Sequence, residues 1–397
     1  MIIVKEKRAR ATLLAQSRYA IYALNFLLTL HVAMVSYYLS PFLVSRGIPE
    51  QFVGLVFAVG SMVALFAIAY APYFLKRQGN YTNLLTLGLL QLLAFLSLVF
   101  AGSTPLIIAL FLIVFVAPTL VSFSLDIFLE GTVEDESKTS GMRSIFLTAA
   151  NFAWLAAPII GGFLVVNDIF DNLFVIAALI FVPFIFLAAS QLEYFRDPKY
   201  KELNVARFIT TLRRSKNFRG VFVAQFLLRF FFGTLIVYLP LYAHKTLGMP
   251  LSEFGIILSF GMIAYLLLEI PLGKIMDASW GEKEVLIIGL AVLALTTASI
   301  SFIVTTSLVL WGAVMFATRI GAAMVEVSSE GYFFKHVDAN DADVVSAFRM
   351  LYPLAYIISP LIGTMLLFVV PLQFIFVIAG VIILGGIWFV APIQDTK

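Results

Sequence analysis

Twelve apolar stretches follow one another along the chain, approximately at residues 19–45, 50–73, 82–101, 105–130, 142–166, 171–190, 219–245, 252–272, 284–304, 307–333, 344–369 and 371–391. Each is close to the roughly 20 residues that an α-helix needs to cross the hydrocarbon core of a bilayer. The chain therefore reads as an all-α membrane protein with twelve transmembrane helices. Composition agrees, with 61% hydrophobic and only 12% charged residues, against roughly 25% charged in a soluble domain. The narrowest division is the last, at "VVPLQ" around Pro371.

Charge placement orients the helices. The first 18 residues, "MIIVKEKRARATLLAQSR", are basic and polar, and the apolar run after them is longer than the roughly 7–15 residues of a secretory signal core. It is expected to be a retained transmembrane helix. With both termini in the cytoplasm, all but four of the 26 Lys and Arg residues fall in the termini, the even-numbered loops or the first residues of the helices that those loops lead into. The exceptions are Arg46 and Lys245 outside and Arg229 and Arg319 within helices. That asymmetry is the positive-inside bias. It puts the "NYT" sequon at Asn80 on the cytoplasmic side, where it is not glycosylated. An integral protein of the cytoplasmic membrane, bacterial in type, is expected.

The longest loop, 191–218, separates six helices from six. Within it, "KELNVARFITTLRRSKNF" sets Leu203, Ala206, Ile209 and Leu212 at helical spacing beside Arg207, Arg213, Arg214 and Lys216, the pattern of an amphipathic helix on the inner leaflet. The expected domains are 1–190, a cytoplasmic linker at 191–218, and 219–397. A shift of about 200 residues brings the halves into register. "NFLL" at 25–28 meets "QFLL" at 225–228, "YLSPFL" at 38–43 meets "YLPLYA" at 238–243, and "GIPEQFVGLVFAVGSM" at 47–62 meets "GMPLSEFGIILSFGMI" at 248–263. "APIIGG" at 157–162 meets "SPLIGT" at 359–364. Parallel six-helix repeats imply two similar bundles in a pseudo-twofold arrangement about an axis along the membrane normal.

In helix count, central loop and repeat, nearly the whole chain resembles the major facilitator superfamily. That family's loop signature occurs after the eighth helix as "GKIMDASWGEK", with Gly273, Asp277, Gly281 and Lys283 matching and one residue too many before Gly281. After the second helix, "PYFLKRQGN" keeps Arg77 and Gly79 but has Pro72 for the glycine and Lys76 for the aspartate. The fifth helix carries "AWLAAPIIGG", similar to a glycine–proline signature of efflux antiporters, with Ala157 for its first core glycine. The resemblance implies a secondary active transporter that moves a small molecule by alternating access, as a monomer. Proton coupling and efflux antiport are expected, with uptake of a sugar or organic anion by symport or uniport as the alternative. A non-transporting receptor or scaffold is the alternative of a different class.

Several activities are excluded. The chain has no cysteine, hence no disulfide and no thiol nucleophile. Its three histidines form no HExxH spacing, and no phosphate-binding GxxxxGK[ST] loop occurs. Neither an enzyme nor a cofactor is expected. The net charge of +3 is too small to suggest nucleic acid. The expected partners are a small-molecule substrate, protons and the lipid bilayer.

The deep ionisable residues are His31, Asp126, Arg229, Glu269, Arg319 and Glu326, on helices 1, 4, 7, 8 and 10. Charges inside a membrane face a bundle interior or a watery cavity. Helices 3, 6, 9 and 12, peripheral in the resembled fold, carry none, and Gln91 is their most notable polar group. Asn25, His31, Asn151, Trp154, Gln225, Arg229, Arg319, Tyr352 and Tyr356 are the substrate-binding candidates. Glu326, Glu269, Asp126 and His31 are the candidates for proton coupling. Arg319, sharing a helix with Glu326, is expected to be a structural partner, and Arg229 to meet the cargo. The segments "DIFLEG" at 126–131 and "EVSSEG" at 326–331 each end on an acid and a glycine, and Arg143 and Arg349 open the helices that follow. Glu130–Arg143 and Glu330–Arg349 are therefore expected to form a cytoplasmic gate together with Arg77 and Asp277.

Overall fold

The computed structural model describes residues 2–132, 139–193, 195, 216–278, 280–336 and 342–394; the side chains of 2–16, 139–141, 144, 216, 277, 278, 342, 343 and 345–347 lie outside that description. The amphipathic segment expected in the linker falls among residues 196–215, outside the described residues. Among the described residues the named elements are all helices: α1 Ile2–Ser36, α2 Leu39–Ser45, α3 Glu50–Gln78, α4 Asn80–Phe100, α5 Thr104–Gly131, α6 Thr139–Leu164 and α7 Asp171–Gln191. After the linker come α8 Lys216–Pro240, which continues as a π-helical turn over Leu241–Thr246, then α9 Leu251–Ala278, α10 Glu282–Ser299, α11 Leu308–Lys335, α12 Ala342–Leu367, α13 Phe374–Gly385 and α14 Ile387–Val390.

Among the described residues, eleven helices are long and apolar enough to cross a bilayer. The twelfth expected span is the shorter helix Phe374–Val390, interrupted at Gly385–Gly386, where two residues without side chains weaken the helix. The repeat is visible in backbone detail. Gly47 and Gly248 both adopt a left-handed conformation, with φ of 86° and 76°. Each ends a helical run and is followed two residues later by a proline that leads into α3 or α9. Glycine bears such a φ without steric cost, and proline is pre-set for a helix start.

By packing, the chain divides into two compact units, Met1–Ser36 with Phe66–Glu202, and Tyr37–Leu65 with Leu203–Lys397. The first unit is centred on Ile21, Leu24, Leu28, Leu84, Val121, Leu125, Phe128, Phe181 and Phe184. The second has a cluster at Phe230, Ala355 and Ala379, with Phe226, Ile358, Ile362 and Ile382 against it.

The division runs through α3 as well as through the linker. Ser40 donates to the Ile236 carbonyl at 3.3 Å, and Phe52 meets Phe368 edge to face with ring centres 6.0 Å apart. A side chain at Gly54 would run into the Tyr238 hydroxyl, the Pro360 carbonyl and Thr364. Tyr238 itself donates to that carbonyl at 2.6 Å. Missing Cβ atoms let helices approach this closely where small residues line both sides.

Candidate functional site

Four helices of the second unit bring charge together. Along α11, Arg319, Glu326 and Glu330 are spaced by seven and four residues and so share one face. Tyr265 and Glu269 lie one turn apart on α9, as do Tyr352 and Tyr356 on α12. Arg229 on α8 donates from Nη2 to Glu326 Oε1 at 2.7 Å, the side chains being 20% and 22% exposed. The same nitrogen lies 3.9 Å from Glu330, and the Tyr352 ring is 5.9 Å from the guanidinium carbon. Tyr352 and Tyr356 stack at 4.4 Å. Glu269 lies within electrostatic range of Glu326. Among the described residues no cation is within 4.0 Å of it. One arginine thus stands among three carboxylates.

Sequence spacing offered Arg319 as the partner of Glu326; the structure gives that place to Arg229. Arg229 is the ion-paired one. Arg319 is 2% exposed and bonds through Nη2 to the Tyr37 hydroxyl at 3.1 Å. Helical spacing puts Arg319 and Glu326 on one face but two turns apart, too far to pair, whereas α8 delivers Arg229 directly to Glu326. Gln225, one turn before Arg229, accepts from Ser329 at 3.0 Å and is buried.

In the first unit, His31 is fully buried. Its Nδ1 lies 2.9 Å from the Ala177 carbonyl. Gln91 directs its amide nitrogen at both His31 Nε2, 3.1 Å away, and the Val114 carbonyl, 3.0 Å away. Since a carbonyl requires a donor, the amide donates to Nε2 and Nδ1 carries the ring proton. Phe95 and Phe181 meet the imidazole edge to face at 4.6 and 4.5 Å. The ring is a packed crosslink of α1, α4, α5 and α7. Asn25 is likewise used within the bundle, donating to the Phe146 carbonyl at 2.8 Å. Asn151, Trp154 and Asp126 are half-buried.

Of the expected gate residues, Arg143 lies 2.7 Å from Glu130 in a largely exposed pair. Glu330 is held toward Arg229, while Arg349 is exposed and not within 4.0 Å of Glu330. Arg77 is exposed, and the Asp277 side chain lies outside the described residues. Two ties were missed by sequence reasoning. Buried Glu282 pairs with Lys335 across α10 and α11, and Arg18 donates twice to the Thr132 carbonyl, at 3.2 and 2.8 Å. The first was hidden in the "GEKE" run, which reads as a solvated loop. The second has a backbone acceptor, which leaves no mark in sequence.

The sequence profile of the Major Facilitator Superfamily matches residues 23–250 and 221–396. No curated protein is similar enough in sequence to count as a match. Among solved structures, the nucleoside transporter NupG is similar in its D323A mutant with a TM-score of 0.74 at 14% identity, over 94% of this chain and 99% of that one. The NupG structure without that substitution gives 0.73 at 14%, over 95% and 100%. A bacterial homolog of the human lysosomal transporter Spinster, inward-facing and unoccupied, gives 0.67 at 13% identity, over 96% and 95%. At such identities the likeness speaks for the fold, and the profile speaks for the family. With helices in two repeated sets of six and paired charges buried among them, the chain belongs to the Major Facilitator Superfamily and is a membrane transporter, not an enzyme.

Proposed function

We propose that this transporter is a proton-coupled secondary transporter that exports a small molecule in exchange for protons, working by alternating access as a monomer in a bacterial cytoplasmic membrane with both termini inside. One observation carries the coupling: Arg229 stands 2.7 Å from Glu326 and 3.9 Å from Glu330, with Glu269 close by and without a cation of its own. A proton delivered to Glu326 removes its negative charge, and Arg229 then finds its counter-ion one turn away at Glu330. Loss of the proton reverses the exchange. Protonation is thereby converted into movement of an arginine between two positions on α11. The direction of transport rests on the "AAPIIGG" pattern of α6. Glu130 and Arg143, with Arg77, Asp277, Glu330 and Arg349, serve as the cytoplasmic gate in this reading.

The test uses the full-length protein in proteoliposomes loaded with a fluorescent pH reporter and challenged with labelled nucleosides, sugars and organic acids under gradients of either sign. Nucleosides enter the panel because a nucleoside transporter shares the fold. Solute and protons should move in opposite directions. Either Glu326→Gln or Glu269→Gln should abolish gradient-driven accumulation while sparing solute exchange. Full accumulation in both variants would remove the cluster from coupling, and co-directional flux would turn the proposal toward symport. A cysteine introduced at Asn151, in a chain with none of its own, should label faster from the cytoplasmic side in Glu130→Gln; unchanged labelling rejects the gate.

A further inference from the structure

Arg319 is a buried cation whose surroundings lack an anion. It is 2% exposed, and among the described residues no carboxylate lies within 4.0 Å of its guanidinium. The acids on its own helix are engaged with Arg229. Nη2 donates to the Tyr37 hydroxyl at 3.1 Å, while Nε and Nη1 have no acceptor. The rings of Phe231 and Phe232 lie 5.6 and 5.1 Å from the guanidinium carbon, and Gly261 backs onto the arginine's stem. One turn beyond Gly261 on α9, Tyr265 is 5% exposed, and it lies within electrostatic range of both Arg319 and Glu326.

Aromatic faces attract a cation but do not neutralise it. A fixed charge at this depth requires an acid, an anionic ligand or water. Here Nε and Nη1 lack acceptors and Nη2 meets only a neutral phenol, so the missing element is an acceptor that carries negative charge. Each edge of the guanidinium fork that can hold two oxygens at once includes Nη2, the nitrogen engaged with Tyr37. Nη2 carries two N–H groups, one for each edge, so Tyr37 occupies one edge at most and leaves the other open to a bidentate anion.

We infer that Arg319 binds an oxyanion, a carboxylate or phosphate group carried by the transported molecule, at the edge of its fork that Tyr37 leaves open. The inference rests on the transporter reading above and adds to it the chemical class of the cargo. Phe231 and Phe232 would flank that group and favour a planar, apolar body attached to it.

The test is thermal unfolding of the full-length protein in phosphatidylcholine nanodiscs, which offer no net anionic headgroup. Benzoate and inorganic phosphate are the probes, with benzamide as the uncharged control. Wild type should be stabilised saturably by at least one of the two anions and not by benzamide. Arg319→Met should unfold at a higher temperature than ligand-free wild type, because a near-isosteric apolar side chain relieves the uncompensated charge, and should lose the anion response. Tyr37→Phe, which leaves both edges of the fork open, should keep the response. A lower unfolding temperature for Arg319→Met would make the arginine structural and overturn the inference. So would an anion response that persists in Arg319→Met, a wild type indifferent to both anions, or a shift produced only by added anionic lipid. Because binding is read without transport, these failures leave the coupling proposal standing. An absence of solute movement in proteoliposomes leaves anion binding standing in turn.

Discussion

Neutralising Arg229 should cost much more than neutralising its partner. In the structure Arg229 is bonded to Glu326 at 2.7 Å and has Glu330 in reserve at 3.9 Å. Glu326→Gln leaves the arginine a second carboxylate one turn away, so the lost interaction is partly replaced; about 1 kcal/mol is expected, near the value of an ordinary charged hydrogen bond. Arg229→Gln leaves Glu326 and Glu330 facing each other and Glu269 with no cation. Removing one partner of a fully buried pair costs about 3–5 kcal/mol. With about a fifth of each paired side chain exposed, solvent screening reduces this to roughly 2–3 kcal/mol. The double variant removes the orphaned charge at Glu326 and should regain about 1–2 kcal/mol of that loss, a coupling well above the roughly 0.5 kcal/mol scatter of independent sites. The assay is unfolding of the four proteins by dodecyl sulfate in mixed micelles, followed by circular dichroism. Equal losses in the two single variants, or a double variant whose loss equals their sum, would refute the shared-cation reasoning.

Two further outcomes are expected. Gly54→Leu places a side chain against the Tyr238 hydroxyl, the Pro360 carbonyl and Thr364; overpacking of this kind costs about 1–3 kcal/mol, and a cysteine substituted for Ser40 should label faster, whereas unchanged labelling would show that the contact of α3 with α8 and α12 is not a seal. Gln91→Leu removes the donor that serves both His31 and Val114; in a membrane interior about 1–2 kcal/mol should be lost, seen as a lower unfolding temperature with the solute concentration for half-maximal transport unchanged, and a change in that concentration instead would return His31 to the substrate site.

The spans were legible because a bilayer demands a fixed length of apolar helix, and the repeat because Gly47 and Gly248 occupy the same turn in both halves. The candidate site was only partly legible. Helical periodicity put Arg319 and Glu326 on one face, but it says nothing about which side chain arrives from another helix, so Arg229 was assigned to cargo and Arg319 to structure. The acid-then-arginine order points equally to Glu130–Arg143 and Glu330–Arg349. The structure pairs the first and turns Glu330 toward Arg229, a choice made by helix rotation. A lone histidine and a lone glutamine in separate apolar runs each seemed available, and nothing local announces that His31 and Gln91 satisfy one another. Tyr37 and Tyr265 were overlooked because a tyrosine in a chain so rich in aromatics carries no signal until its neighbours are seen.

The packing of Tyr37–Leu65 with the second unit has a consequence for biosynthesis. Ser40 and the carbonyl that receives its hydrogen bond are 196 residues apart, and Tyr37 and Arg319 are 282 apart. At roughly 5–20 residues per second, the ribosome leaves Ser40 waiting about 10–40 s for Ile236 and Tyr37 about 15–55 s for Arg319. Through that interval the Gly54 face of α3 must reside in lipid without its partner helices. A face of Gly, Ser and Phe tolerates this, since lipid tails are as apolar as the side chains that later replace them. Arg319 arrives last, as a bare cation on a nascent helix, when the phenylalanines and the tyrosine that receive it are already in the membrane.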